Sequence, residues 1–133
     1  MNYEKVKKIE PKVQDIINFT KKRKKRIKNK DDYDRFIKNS SSDTEKIEIY
    51  LLNLDLDELK IINSLMLIGK RITTVKFHEE KLNRTRENIK IIFENNYKID
   101  VPKAILVGYI SGSFMMLDKY LEYGIKYFLK ELE

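Results

Sequence analysis

Groups able to do chemistry are few in this chain, and each stands alone. The single histidine, His78, lies in His78-Glu79-Glu80-Lys81, which lacks the second histidine that an H-E-x-x-H zinc protease places one helical turn on. Cysteine is absent, which excludes disulfides, thiolate metal sites and cysteine nucleophiles. With one imidazole and no thiol, a zinc site would need several carboxylates, and no cluster of them is apparent. Asp55, Asp57 and Glu58 fit the capping of a helix start, and Asp31, Asp32 and Asp34 fit a surface turn better than a water-mediated Mg²⁺ site. Ser40, Ser41 and Ser42 stand in a polar stretch, and Ser111 and Ser113 lack a nearby base. Gly108-x-x-x-Gly112 is neither the phosphate loop G-x-x-x-x-G-K-[ST] nor the nucleophile elbow G-x-S-x-G. The chain is therefore expected to be non-enzymatic, with no metal and no cofactor.

Binding is the chemistry that the residue types favour. Lys21, Lys22, Arg23, Lys24, Lys25, Arg26, Lys28 and Lys30 form a run of eight cations interrupted only by Ile27 and Asn29. The whole chain of 133 residues carries 28 basic and 21 acidic residues, net +7, so everything outside the run is close to neutral. A local device of this kind attracts polyanions: nucleic acid, a nucleotide-like small ligand, or an acidic protein surface. No recognition helix, zinc finger or aromatic-bearing sheet that would read base edges is recognisable. Like charges three and four apart weaken the helix, so the run is expected to fray until an anion neutralises it, and its charges to be removable without loss of the fold; the alternative is a merely solvated helix end. A second group of candidates is aromatic. Tyr120, Tyr123 and Tyr127 share one flank of a helix, and Tyr109 and Gly112 stand in a charge-free segment, so these five are the expected pocket or subunit interface.

The elements that must position these groups read as helices. Val13, Ile16, Ile17 and Thr20 fall at helical spacing after Pro11, which fits the first turn of a helix running into the basic run. Residues 31–43, with their polar cluster and triple serine, read as a linker, and Ile47, Tyr50 and Leu51 as one face of a short helix after it. Asp55-x-x-Glu58 is a capping box opening the clearest helix, with Leu59, Ile62, Leu65, Met66 and Ile68 inside and Gly69 at its expected end. Thr73 or Thr74 would cap a further helix reaching about Asn95, with Phe77, Leu82, Ile89, Ile92 and Phe93 on its buried side. A short helix from Pro102 and a last one from about Ser113 to Leu129 complete the chain, the latter aligning Leu117, Leu121, Gly124, Ile125 and Phe128. No strand-like alternation competes. The expectation is one all-α domain, a compact bundle of five or six helices with residues 1–30 as a basic-ended first helix and 44–133 as the core. Leu59, Ile62, Leu65, Met66, Leu117, Leu121 and Ile125 should share that core.

Two segments carry a family resemblance. Leu65 to Lys70 (LMLIGK) and Leu117 to Ile125 (LDKYLEYGI) resemble the L-M-W-I-G-R-G-like helix end and the L-A-D-Y-L-E-E-G-L-like C-terminal helix of a small uncharacterised bacterial family. The opening IEPKVQDIINFTKK is similar to that family's first helix. Leu67 stands where the family has Trp, Lys70 where it has Arg, Arg71 where it has a second Gly, and Tyr123 where it has Glu. The resemblance implies a compact helical fold, assigns no catalytic residues, and marks Gly69 and Gly124 as backbone or packing requirements.

The richness in Lys, Ile and Asn is the bias of an AT-rich coding genome, pointing to a low-GC bacterium or its mobile elements. The N-terminal residues lack the apolar core of a signal peptide, and no charge-free stretch reaches the ~18 residues needed to span a bilayer, so a cytoplasmic location is expected. Three functions are in view. The first is a non-catalytic helical module engaging nucleic acid or a nucleotide-like ligand through the basic run. The second is a phage or mobile-element type of inhibitor acting by protein–protein contact on a host machine. The third is a homo-oligomer with a small-molecule pocket at its subunit boundary.

Overall fold

A computed structural model describes residues 2–24 and 27–132. It is all-α, as expected, with seven helices among the described residues where five or six were expected: α1 (Asn2–Lys24), α2 (Lys30–Leu52), α3 (Leu56–Val75), α4 (Glu79–Glu87), α5 (Ile89–Tyr97), α6 (Lys103–Ser111) and α7 (Phe114–Leu132). None of the described helices is long and apolar enough to cross a membrane.

Helix α3 is the central element. The Asp55 carboxylate accepts from the Glu58 backbone N–H at 2.8 Å and the Glu58 carboxylate accepts from the Asp55 N–H at 3.2 Å, so the capping box forms as read. Beyond it, apolar residues occupy more than one stripe, and Leu59, Ile61, Ile62, Leu65, Met66, Ile68 and Ile72 are all buried. A helix apolar around most of its circumference needs neighbours on most sides. It has them, packing against α1, α4, α5, α6 and α7. Of the expected core, Leu59, Ile62, Leu65, Met66, Leu117 and Leu121 are buried, and Ile125 is half-buried against the same cluster.

The closest packing is between α3 and α7, which run antiparallel. Gly69 faces the Tyr120 backbone and Gly124 faces the Leu65 backbone, one helical turn apart on each helix. A Cβ placed on Gly69 would overlap the Tyr120 carbonyl and lie 2.7 Å from Tyr120 Cα. A Cβ on Gly124 would overlap the Leu65 carbonyl in the same way and lie 3.2 Å from Leu65 Cα. These are backbone atoms in helix interiors and have no rotamer through which to yield. Gly69 therefore does not end α3, as its sequence position suggests. The helix continues six residues further and buries Ile72.

Other boundaries also move. α1 starts well before Pro11, because Val6 and Ile9 extend the Val13–Ile16–Ile17–Thr20 stripe and are buried, while Pro11 lies on the exposed side. Residues 31–43 are helical within α2 and not a linker, since Asp43, Ile47 and Leu51 form one buried stripe. The helix read from Thr73 to Asn95 is three pieces. Thr73 and Thr74 finish α3, with hydroxyls donating to the Gly69 and Lys70 carbonyls, and the chain then breaks at residues 76–78 and again at Asn88. Phe77 falls in the first break and is 94% exposed, not buried. Phe93 is buried as expected, its ring centroid 4.6 Å from that of Phe128.

Two outcomes test this packing. Gly69→Ala or Gly124→Ala should cost about 3 kcal/mol or more in urea unfolding, the upper end of overpacking. Gly108→Ala on α6, where a Cβ meets nothing within 4 Å, should instead stabilise by roughly 0.4–1 kcal/mol. At the start of α3, the hydrogen bond from Lys12 holds the Glu58 carboxyl below the usual glutamate range, and the Asp55 N–H adds to this against the opposing effect of burial. A lowered folded pKa contributes stability fully above the unfolded value of about 4.3, which is lost as pH falls through the folded value. Glu58→Gln keeps the capping geometry, so its unfolding midpoint should match the parent more closely at about pH 3 than at about pH 6.

Candidate polyanion-binding site

The basic run begins where the buried face of α1 ends. That face is Val6, Ile9, Val13, Ile16, Ile17 and Thr20, and the next positions on it, three and four residues on, are Arg23 and Lys24. On the buried face of α2, four residues before Ile47, lies Asp43, which is 5% exposed. On α7, three residues before Leu121, lies Asp118, 4% exposed. Charges of opposite sign on the buried faces of three helices thus meet, with Asp118 set between the buried Leu117 and Leu121. Arg23 Nε lies 3.1 Å from the Asp43 carboxylate, and Lys24 Nζ lies 2.7 Å from that of Asp118. Lys24 Nζ also donates to the Met115 carbonyl at 2.8 Å. The Arg23 guanidinium sits 5.4 Å from the centre of the Phe19 ring, which packs edge-on to Phe114.

Lys21, on the adjoining flank, pairs with Glu122, and that hydrogen bond raises the lysine pKa, so the ammonium stays charged. Lys22, Lys28 and Lys30 are exposed and make no ion pair among the described residues. Lys25 and Arg26 of the expected site lie outside the described residues. The run is therefore not uniformly solvated. Arg23 and Lys24 belong to the packing of α1 against α2 and α7, because a carboxylate buried to this degree requires a counter-charge.

The start of α2 is fixed by two side-chain caps. The Asn29 side chain accepts from the Asp32 N–H at 2.9 Å, and the Asp32 carboxylate accepts from the Lys28 N–H at 3.1 Å. Asp32 also receives the Arg35 guanidinium at 2.9 Å. Among the described residues, Asp31, Asp32 and Asp34 form no ion pair with the run; Asp43, Asp118 and Glu122 do. Those three carboxylates were missed by sequence reading, although Asp43 and Asp118 carried a signal as acids at buried-stripe spacing from Ile47 and Leu121.

The aromatic candidates do not form one site. Tyr120, Tyr123 and Tyr127 are half-buried against the core, with the Tyr123 and Tyr127 rings 6.3 Å apart and Lys76 5.4 Å above Tyr123. Tyr109, 58% exposed, lines a separate groove beside α3, which Gly112 and the other three tyrosines do not line. His78 is the N-cap of α4, its side chain accepting from the Lys81 N–H. Among the described residues, no three acidic or histidine side chains gather to hold a metal ion. Comparison with protein-family models, curated proteins and solved structures found no match to the chain.

The divided run has a measurable consequence. Arg23→Gln or Lys24→Gln leaves a buried carboxylate without its partner and should cost roughly 3 kcal/mol, the low end for a broken buried pair because each cation keeps some solvent contact. Lys22→Gln should stay within about 0.5 kcal/mol of the parent. Chemical denaturation of the three single variants makes the comparison.

Proposed function

We propose that this protein is a non-catalytic helical binding module that engages a nucleic acid through the cations at the α1–α2 junction. The observation that carries the reading is the concentration of the whole excess charge in ten residues, against a body of 20 basic and 21 acidic residues. The geometry adds a division of labour. Lys21, Arg23 and Lys24 are held by Glu122, Asp43 and Asp118, which fixes the end of α1 against α2 and α7. Lys22, Lys28 and Lys30 remain exposed for phosphate contact, with Lys25 and Arg26 between them in the sequence. The Asn29–Asp32 cap holds the backbone at Lys28 and Lys30, which lowers the ordering cost of binding there. Such a surface follows the backbone and reads no base sequence, so the binding is of the general kind. Membership of the bacterial family that the Leu65–Lys70 and Leu117–Ile125 segments resemble is part of the same proposal, as is a cytoplasmic site of action.

A second reading, an acidic protein surface as the partner, is favoured by Tyr33 and Ile37. Both are 47% exposed and lie one turn apart on α2 just after Lys30. Apolar side chains beside cations suit a protein interface better than a phosphate backbone.

The test is duplex DNA binding by the parent and by a Lys22→Gln/Lys28→Gln/Lys30→Gln variant across a salt series. The variant should fold with unchanged stability and bind more weakly, its log–log salt slope shallower by up to about 0.9 for each phosphate no longer neutralised. An unchanged slope would sink the nucleic-acid reading. An acidic protein retained after nuclease treatment and still held at about 200 mM salt, through an interface sensitive to Tyr33→Ser, would establish the second in its place.

A further inference from the structure

Away from the basic run, α3 has a second face that nothing in the fold fully covers. Asn63, Met66, Leu67 and Lys70 lie three, four and seven residues apart and so share one side of the helix, turned from the Leu65–Gly69 side that meets α7. With Asn96, Ile99, Tyr109 and their neighbours from α5, the following connection and α6, this face encloses a groove of about 440 Å³. That volume lies within the range of small-molecule sites, roughly 300–1,000 Å³.

Asn63 is the informative residue. It is 8% exposed, lines the groove, and its Oδ1 is buried without a hydrogen-bond partner among the described residues. The polar side chain next to it, Ser64, is satisfied by donating to the Lys60 carbonyl at 2.7 Å. A buried amide oxygen left unpaired in the central helix of a fold is a standing cost unless something else completes it. By rotation about its last bond, the same amide offers either its oxygen or its N–H₂ to one ligand edge. Asn96 adds a further acceptor, since its Nδ2 is already committed to the Ile92 carbonyl at 2.9 Å and its oxygen is not. Tyr109 and Ile99, 58% and 53% exposed, supply an aromatic and an aliphatic wall. Lys70 is exposed, makes no ion pair among the described residues, and is the charged member of a lining that contains no acid.

We infer that this groove binds a small nucleotide: a nucleoside monophosphate whose base presents a donor–acceptor edge, as adenine does, to Asn63. The base would stack against Tyr109, and the phosphate would reach Lys70. Each part of such a ligand answers a feature of the groove: a paired donor and acceptor for the orphaned amide, a flat ring for the exposed tyrosine, and one negative group for the unpaired ammonium. None of residues 21–30 lines the groove, so this site is independent of the proposed nucleic-acid surface.

The test uses the full chain with AMP, adenosine and ribose 5-phosphate as probes, read by titration calorimetry and by amide NMR shifts. AMP should bind, shifting the signals of Asn63, Asn96 and Tyr109. Loss of the phosphate in adenosine, or of the base in ribose 5-phosphate, should weaken binding roughly tenfold or more, as expected for losing a charge-assisted hydrogen bond or a stacked, hydrogen-bonded base. Lys70→Gln should bring AMP to the affinity of adenosine. Asn63→Leu should abolish AMP binding while raising the unfolding midpoint, because it replaces an unpaired amide with an apolar group of similar size; a purely structural asparagine would give a lower midpoint. The Lys22→Gln/Lys28→Gln/Lys30→Gln variant should bind AMP like the parent. Absence of AMP binding, full AMP binding by Asn63→Leu, or its loss in the triple-lysine variant would each overturn the inference, the last by assigning the phosphate to the basic run.

Discussion

Backbone-to-backbone contact between α3 and α7 is the constraint from which the rest of the structure follows. Gly69 and Gly124 let the two helices approach until each carries the other's main chain against it. Side chains on both sides of the crossing then interdigitate at short range, and Leu59, Ile62, Leu65, Leu117 and Leu121 become fully buried. With α3 and α7 fixed, α1 lies along α7, α5 and α6 close the other side of α3, and α2 reaches the core mainly through α6. Small residues at a crossing gain dispersion contact over a long strip, at the cost of a geometry that tolerates no added atom.

Charge placement follows from where that core stops. A helix stripe that has buried five or six residues continues geometrically beyond the last apolar one, and the next side chain on it must be either capped by water or paired. Here Arg23 and Lys24, beyond the last buried residue of α1, pair with Asp43 and Asp118 on the buried faces of α2 and α7. Such pairs add little net stability compared with a well-packed apolar contact, but breaking one is costly, so they specify which helix ends meet. The result is a boundary inside the basic run. Its inward members pair with carboxylates of α2 and α7, and its described outward members, Lys22, Lys28 and Lys30, are left in water.

The two proposed sites therefore use different physics. The α1–α2 junction offers exposed cations on a capped turn, suited to a polyanion held by long-range attraction and weakened by salt. The groove beside α3 offers a desolvated amide, an aromatic wall and one cation, suited to a single small ligand held by direct contact. Because α3 faces α7 with one side and the groove with the other, both depend on the same glycine-mediated crossing for their shape.

Sequence alone determined the helical class, the capping box at Asp55–Glu58, and most of the core, because those properties depend on neighbours three and four residues away along one chain. It also determined that the excess charge lies in residues 21–30. Tertiary structure decided the rest. Gly69 has the local signature of a helix end, and only the approach of Tyr120, 51 residues later in the chain, makes it a helix interior. Residues 31–43 have a linker's composition, yet Asp43 is drawn into a helix stripe by a distant arginine. Arg23 and Lys22 are both cations and adjacent in sequence; a rotation of about 100° around the helix axis puts one against a buried carboxylate and leaves the other in water. Asn63 looks like an ordinary polar interruption, and its unpaired state depends on what α5 and α6 fail to bring to it. In each case the deciding partner comes from another element, and the free energy of a buried polar group is set by that partner and not by its sequence neighbours.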